Sequence, residues 1–136
     1  MGLDASAAAS MTSIYLFGVL SQHNRWLSVR QATIAGNIAN ASTPGFKALD
    51  VTAFEAALDS AKLAMATTRS GHVTSSGTDA PATDVRQEEP WEVTHAGNSV
   101  SLEQELLKAG DVNRAYRLNT SVLKAFHRML MTSAKV

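Results

Sequence analysis

Four histidines are the residues of this sequence best suited to acid–base or metal chemistry. They are His23, His72, His95 and His127. No two of them stand one helical turn apart, and none has the spaced carboxylate partners that metal sites use. We therefore expect no metal site. His23 and His127 fall on predicted helices, where the pattern indicates partnered interface residues.

Nucleophilic chemistry is also poorly supported. The chain contains no cysteine, which removes thiolate nucleophiles and Cys-based metal sites. No Gly-x-Ser-x-Gly turn frames a serine, and the scattered glycines form no phosphate-binding loop. Glu88 and Glu89 precede Pro90 and are interpreted as a solvated charge pair. The sequence predicts no catalytic residue, no cofactor and no small-molecule substrate, and therefore no enzyme.

Charge excludes a further class of function. Twelve basic residues balance twelve acidic ones, which argues against a dedicated nucleic-acid binder. A basic group near the C-terminus, interpreted as a solvated or interfacial helix face, comprises Arg114, Arg117, Lys124 and Arg128. Residues 1–45 carry only three charges. The longest apolar run, residues 14–20, is far shorter than the roughly 20 residues of a membrane span.

Apolar residues recur every seven positions at both ends of the chain, which predicts two long helices. The first series is Leu20, Leu27, Ile34 and Ala41, with Phe17, Asn24, Gln31 and Ile38 beside it. The second is Leu102, Ala109, Tyr116, Leu123 and Leu130, flanked by Leu106, Asn113, Thr120, His127 and Ala134 and widened by Phe126. Burying both seams against each other predicts a coiled-coil-like pair. Apolar residues off the seams suggest further partners.

Local signals predict where the last helix begins. Ser101 and Gln104 fit a capping box, so the helix is expected to start there. Gly110 falls inside this helix and weakens it by about 1 kcal/mol relative to alanine. A glycine at that position indicates a bend or a close contact.

The middle of the chain carries weaker signals. Pro44 and Gly45 suit the central positions of a type II turn that ends the first helix. Thr52 and Glu55 fit a second capping box, for a short helix near residues 51–66. The alternating segment 91–95 indicates weak β structure or loop.

These elements define the predicted fold. It is mainly α, with two long terminal helices packed as a coiled-coil-like pair, a short helix and an irregular or weakly β middle segment. Residues 1–45 hold the N-terminal helix and its Thr-Pro-Gly turn, and they pack with the C-terminal helix of residues 98–136 as one discontinuous helical domain. Residues 46–97 hold the short helix and a variable, partly flexible loop region.

Two motifs make the chain recognisable. Residues 37–47, Asn-Ile-Ala-Asn-Ala-Ser-Thr-Pro-Gly-Phe-Lys, closely resemble the N-terminal signature of bacterial flagellar rod and hook proteins. Residues 97–105, Gly-Asn-Ser-Val-Ser-Leu-Glu-Gln-Glu, resemble the start of that family's C-terminal helix. The matching positions are Asn37, Ala39, Asn40, Thr43, Pro44, Gly45, Phe46, Gly97, Asn98, Val100, Leu102, Glu103 and Glu105. The chain departs from the family at Ala96 and Ser101, where aspartate is usual.

The resemblance, which is to the proximal rod subunits, implies a structural role in the flagellar basal body. It implies export through the flagellar type III apparatus without a cleaved signal, and assembly into the periplasmic rod. There the subunit would link the membrane ring to the distal rod and transmit torque. The implied partners are other copies of the chain, other proximal rod subunits, the rod-to-membrane-ring junction proteins and the export apparatus.

The two predicted seams would supply the assembly interface. Its expected residues are Phe17, Leu20, Leu27, Ile34, Ile38, Leu102, Leu106, Tyr116, Leu123, Phe126 and Leu130. Asn37 and Asn40 are expected to satisfy polar groups near the Thr-Pro-Gly turn. An alternative stays open on the sequence: a soluble helical adaptor or export chaperone would also bind partner helices through such seams.

Overall fold

The computed structural model describes residues 3–62, 83–90 and 93–134. Three helices occupy most of this length: α1 (Leu3–Ala39), α2 (Phe54–Lys62) and α3 (Leu102–Ser133). Two short strands, β1 (Leu49–Val51) and β2 (Val85–Gln87), complete it. The mainly helical fold class is therefore confirmed. None of the helices in the described ranges is both long and apolar enough to cross a membrane.

The long helices α1 and α3 pack against each other in antiparallel directions. The ring of Phe17 meets that of Phe126 edge to face at 5.5 Å between centroids. Further along α1, Asn37 donates a hydrogen bond of 3.0 Å to Glu105 near the start of α3. Increasing positions on α1 thus meet decreasing positions on α3. The predicted pair of long terminal helices is confirmed.

The strands β1 and β2 form a two-stranded antiparallel ribbon, in which Asp50 lies opposite Arg86. The indole Nε1 of Trp26 on α1 donates to the Thr52 carbonyl at 2.8 Å and so holds the ribbon's end against the helix. The prediction of weak β structure or loop at residues 91–95 did not locate this ribbon. Residues 93–95 lie in no strand, whereas 91 and 92 lie outside the described residues. Strands of three residues are too short to show a recognisable alternation.

Both predicted capping boxes are wrong. Ala53, not Thr52, immediately precedes α2, and the Thr52 hydroxyl donates to the Asp84 carbonyl at 3.1 Å. Ser101 does occupy the N-cap of α3, but its side chain makes no cap hydrogen bond. The Gln104 amide donates instead to Glu88 at 3.5 Å. In each predicted box, one side chain bonds a residue distant in sequence instead: Thr52 bonds Asp84, and Gln104 bonds Glu88.

The helix α2 confirms a short helix in the predicted region, although residues 63–66 of that prediction lie outside the described residues. Of the bend or close contact predicted at Gly110, the described part of the chain supplies no close contact. A Cβ placed on Gly110 would meet no other atom within 4 Å.

The apolar core sits between α1, α3 and the ribbon. Leu27 and Ile34 are 2% and 1% exposed, and they cluster with Trp26 and Val112. The first-helix series through Leu27 and Ile34 is therefore an inner seam, as predicted.

The inner face of α3 differs from the predicted one. Its buried residues are Glu105, Lys108, Val112 and Asn119, of which three are polar. The predicted seam residues Leu102, Tyr116, Leu123 and Leu130 are exposed instead. Apolar periodicity missed this face because polar side chains of α1 and the ribbon satisfy the buried polar groups of α3.

Candidate assembly interface

The first family motif ends α1 in a tight turn. The Phe46 N–H donates to the Thr43 carbonyl at 3.3 Å, and Gly45 between them has φ +72°. A positive φ at the third residue, after a proline at the second, is the geometry of a type II turn. The prediction for Pro44 and Gly45 is confirmed.

Asn98 of the second motif caps this end of α1. Its side-chain amide donates to the carbonyls of Asn40, Ala41 and Thr43 at 3.0, 2.9 and 2.8 Å. Its side-chain oxygen accepts from the Val100 N–H at 2.7 Å. One buried side chain thus bonds three backbone carbonyls of the turn that follows α1.

Backbone hydrogen bonds join the same two motifs. The Gly45 N–H donates to the Ala96 carbonyl at 3.0 Å, and the Ser99 N–H donates to the Phe46 carbonyl at 3.1 Å. Gly97 has φ +76°, and a Cβ there would lie 3.7 Å from the Gly45 Cα. We call the joined residues 37–47 and 96–105 the motif clasp. Ala96 contributes its backbone carbonyl, for which no particular side chain is required.

The two asparagines of the first motif, Asn37 in α1 and Asn40 just after it, bond backbone groups, as expected. Asn37 is buried, accepts from the Leu49 N–H at 3.0 Å and donates to the Leu49 carbonyl at 2.7 Å. Its amide also donates to Glu105. The Asn40 amide donates to the Gly36 carbonyl at 2.9 Å. Asn37 therefore ties α1 to both β1 and α3.

An ionic cluster lies beside Asn37. The Lys108 ammonium donates to Glu88, contacts Glu105 at 3.1 Å and lies 3.4 Å from Asp50. The Arg30 guanidinium contacts Asp50 at 3.2 Å. Glu88 was expected to be solvated with Glu89; it belongs to this cluster instead. Among the described residues, every buried side-chain polar atom has a hydrogen-bond partner.

The surroundings favour the charged forms of Asp50 and Lys108 in this cluster. Burial raises the pKa of the Asp50 carboxyl, but hydrogen bonds from Arg30 and the Val51 N–H, with the charges of Arg30 and Lys108, outweigh burial and hold that pKa below 3.8. Burial lowers the pKa of Lys108, but hydrogen bonds to Glu88 and Glu105 outweigh burial and hold it above 10.5.

The histidines take no part in a metal site within the described residues, where no suitable group of three ligands occurs. His23 stacks on Trp26 at 5.7 Å and lies 4.7 Å from the Phe54 ring. Its Nδ1 lies 2.8 Å from the Asn119 amide nitrogen. The prediction of a partnered interface histidine is confirmed for His23. His95 and His127 are exposed, and His72 lies outside the described residues.

The predicted interface residues fall into three groups. Leu27 and Ile34 are buried within the chain. Half-buried side chains are those of Phe17, Leu20, Ile38 and Phe126. The exposed ones are Leu102, Leu106, Tyr116, Leu123 and Leu130. The predicted residues of α1 are thus buried or half-buried, whereas most of those of α3 are exposed to solvent.

A second exposed apolar row on α3 was missed. Leu107, Leu118 and Met129 are 73%, 63% and 60% exposed and stand eleven residues apart. Eleven residues make slightly more than three full helical turns, so the three side chains lie along one line, which we call the outer row. A search for eleven-residue spacing, besides seven, would have found it.

Comparison with known proteins identifies the kind of assembly. The sequence profile of a family described as "Flagella basal body rod protein" matches residues 26–47, from the core tryptophan to the turn. The flagellar basal body rod protein FlgB of Agrobacterium fabrum is 41% identical over 130 residues, which cover 93% of this chain and 97% of that protein. FlgB of Salmonella typhimurium is 30% identical over 103 residues, covering 69% and 74%.

These relatives are structural components of the basal-body rod, which are not enzymes and assemble with other rod components. The near-complete match to a curated relative extends over both halves of the motif clasp. The chain therefore belongs to the FlgB family of flagellar basal-body rod proteins.

Proposed function

We propose that this rod subunit links the membrane ring to the distal rod and transmits torque between them. Its partners are copies of itself, other proximal rod subunits and the rod-to-membrane-ring junction proteins. The observation that carries the proposal is the uncovered apolar surface of α3. A group of exposed apolar side chains is typical of interaction sites. Assembled subunits bury such surface against their neighbours.

The motif clasp supports the transmission of force through the subunit. Its hydrogen bonds tie the end of α1 to the start of α3, so a load on one helix reaches the other through short polar contacts. We treat residues 1–45 and 98–136 as one discontinuous helical domain on this basis. Residues 46–97 then form the second region, whose ribbon braces the first.

Export through the flagellar type III apparatus, unfolded or partly folded and without a cleaved signal, fits the composition of the chain. There is no cysteine to form a disulfide. The buried apolar residues of the described part are few: Trp26, Leu27, Ile34, Ala48, Ala57 and Val112. A small core gives a low free energy of unfolding, which favours passage in an unfolded form. The N-terminal sequence of the chain in purified basal bodies tests the absence of cleavage.

The rod function is tested by deletion and complementation. We expect a strain lacking the chain to form no complete rods, and the unaltered chain to restore them. Leu118→Asp should reduce the chain's content in purified basal bodies at least about tenfold, because it places a charge in an apolar contact. Asn113→Asp is the matched control, because Asn113 is exposed on a different face of the same helix, and it should assemble normally.

Because Leu118 and Asn113 are exposed in the chain, both substitutions should change the free energy of unfolding by less than about 0.5 kcal/mol. A loss of assembly by Leu118→Asp is then not a loss of folding. Complete rods in the deletion strain would contradict the proposed function.

A further inference from the structure

A groove runs between α1 and α3 on the side of the helix pair where Tyr116 and Leu123 lie. It has a volume of about 400 Å³, and Leu20, Ser21, Ser28, Tyr116 and Leu123 are among its lining residues. Ser21 and Ser28 are small, which lets a neighbouring side chain approach the α1 backbone. The Ser28 hydroxyl already donates to the Asn24 carbonyl at 3.0 Å. The lining therefore suits apolar side chains.

The outer row lies on the other side of α3 from this groove. Tyr116 and Leu118 are two positions apart in the helix, and at 3.6 residues per turn this separates them by about 160° around the axis. The outer row of a chain therefore cannot enter that chain's own groove. Each copy presents one groove and one row in different directions, which is the requirement for a head-to-tail contact that repeats.

The two surfaces carry opposite charges. Arg25 lines the groove and makes no ion pair with another described residue. Asp111 lies between Leu107 and Leu118 along the outer row, and one of its carboxylate oxygens contacts Arg114 at 3.2 Å on the exposed surface. An arginine in the groove lining and an aspartate within the row specify how the two surfaces meet.

We propose that the outer row of one copy docks in the α1–α3 groove of a second copy, with Asp111 facing Arg25. The inference rests on the proposed function, in which the chain assembles with copies of itself. The groove receives apolar side chains of the row, and the charge pair fixes the register. The resulting contact is heterologous, so successive copies continue around or along the rod.

The absence of cysteine from the chain makes the contact testable by disulfide trapping. Full-length Arg25→Cys and Asp111→Cys, mixed and oxidised, should give a cross-linked dimer at least about tenfold more abundant than either variant gives alone. The double variant, with both cysteines in one chain, should give a ladder beyond the dimer. Ser121→Cys mixed with Arg25→Cys is the control and should give little product. A ladder that stops at the dimer would overturn the heterologous contact.

Charge reversal provides a second measurement. Arg25→Glu and Asp111→Arg should each weaken self-association about five- to tenfold by sedimentation, because each places like charges together. The double reversal should restore self-association to near the unaltered value. Failure of the double reversal to restore it would overturn the pairing of these two residues.

The same cysteine variants separate this inference from the proposed function when they are oxidised in purified basal bodies. Cross-links between copies of the chain support both. Cross-links only to another rod component overturn the inference and leave the rod function standing. Absence of the chain from the basal bodies overturns the proposed function itself.

Discussion

At the residue scale, side-chain amides hold the two family motifs together. Asn98 bonds three carbonyls at the end of α1, and Asn37 bonds both β1 and Glu105 of α3. Both asparagines are buried, so water cannot replace these bonds at low cost. Through these bonds the motif residues hold the end of α1 to β1 and to the start of α3.

Asn98→Ala tests this connection. It removes the amide donor shared by the Asn40, Ala41 and Thr43 carbonyls and the acceptor of the Val100 N–H, and we expect the free energy of unfolding to fall by about 2–3 kcal/mol. Asn113→Ala is the matched control, because the exposed Asn113 amide bonds only the Ala109 carbonyl within its own helix. Denaturant unfolding measures both. Equal effects of the two substitutions would contradict the capping role of Asn98.

Asp50 predicts a dependence of stability on pH. Its pKa in the folded chain lies below 3.8, so the folded state favours the charged carboxylate. This contribution is fully present above the unfolded pKa and is lost as the pH falls through the lower, folded pKa. The free energy of unfolding, measured from pH 5 to pH 2.5, should therefore fall less steeply in Asp50→Asn than in the unaltered chain. Parallel pH profiles would contradict the role of Asp50.

At the element scale, α3 presents a different surface in each direction. Its inner face carries Val112 among polar partners, the predicted seam is exposed on one flank, and the outer row is exposed on the other. Seven-residue periodicity predicted the existence and the approximate limits of α3 correctly. It did not show which face turns inward, because an apolar face can be covered by the same chain or by a neighbour. The ionic cluster was not predictable either, since its members come from distant segments.

Two glycines, Gly110 in α3 and Gly45 in the turn after α1, should respond in opposite ways to substitution by alanine. Gly110 is exposed in α3 and has room for a Cβ, so Gly110→Ala should stabilise the isolated chain by about 0.5–1 kcal/mol. Gly45 has φ +72°, and Gly45→Ala should destabilise it by about 1 kcal/mol. Thermal unfolding of the two variants measures the signs. Destabilisation of the isolated chain by Gly110→Ala would contradict this prediction.

At the scale of the whole molecule, the chain is an antiparallel helix pair braced at one end. The turn at Pro44 and Gly45 was predictable, because its residue types alone select a type II turn. The ribbon was not, because three-residue strands carry no usable pattern. The interface prediction identified apolar residues of α3 that are exposed in the chain, but it also included Leu27 and Ile34, which the core already buries. Periodicity alone does not distinguish a core from an assembly surface.

A density map of intact basal bodies, traced to side chains, tests the central claim most directly. That claim is that the motif clasp stays closed inside each subunit while neighbouring subunits cover the apolar surface of α3. We predict that Asn98 still bonds the end of α1, and that Leu107, Leu118 and Met129 are buried against an adjacent rod subunit. An outer row that faces solvent in the assembled rod, or a rod without this chain, would contradict the account.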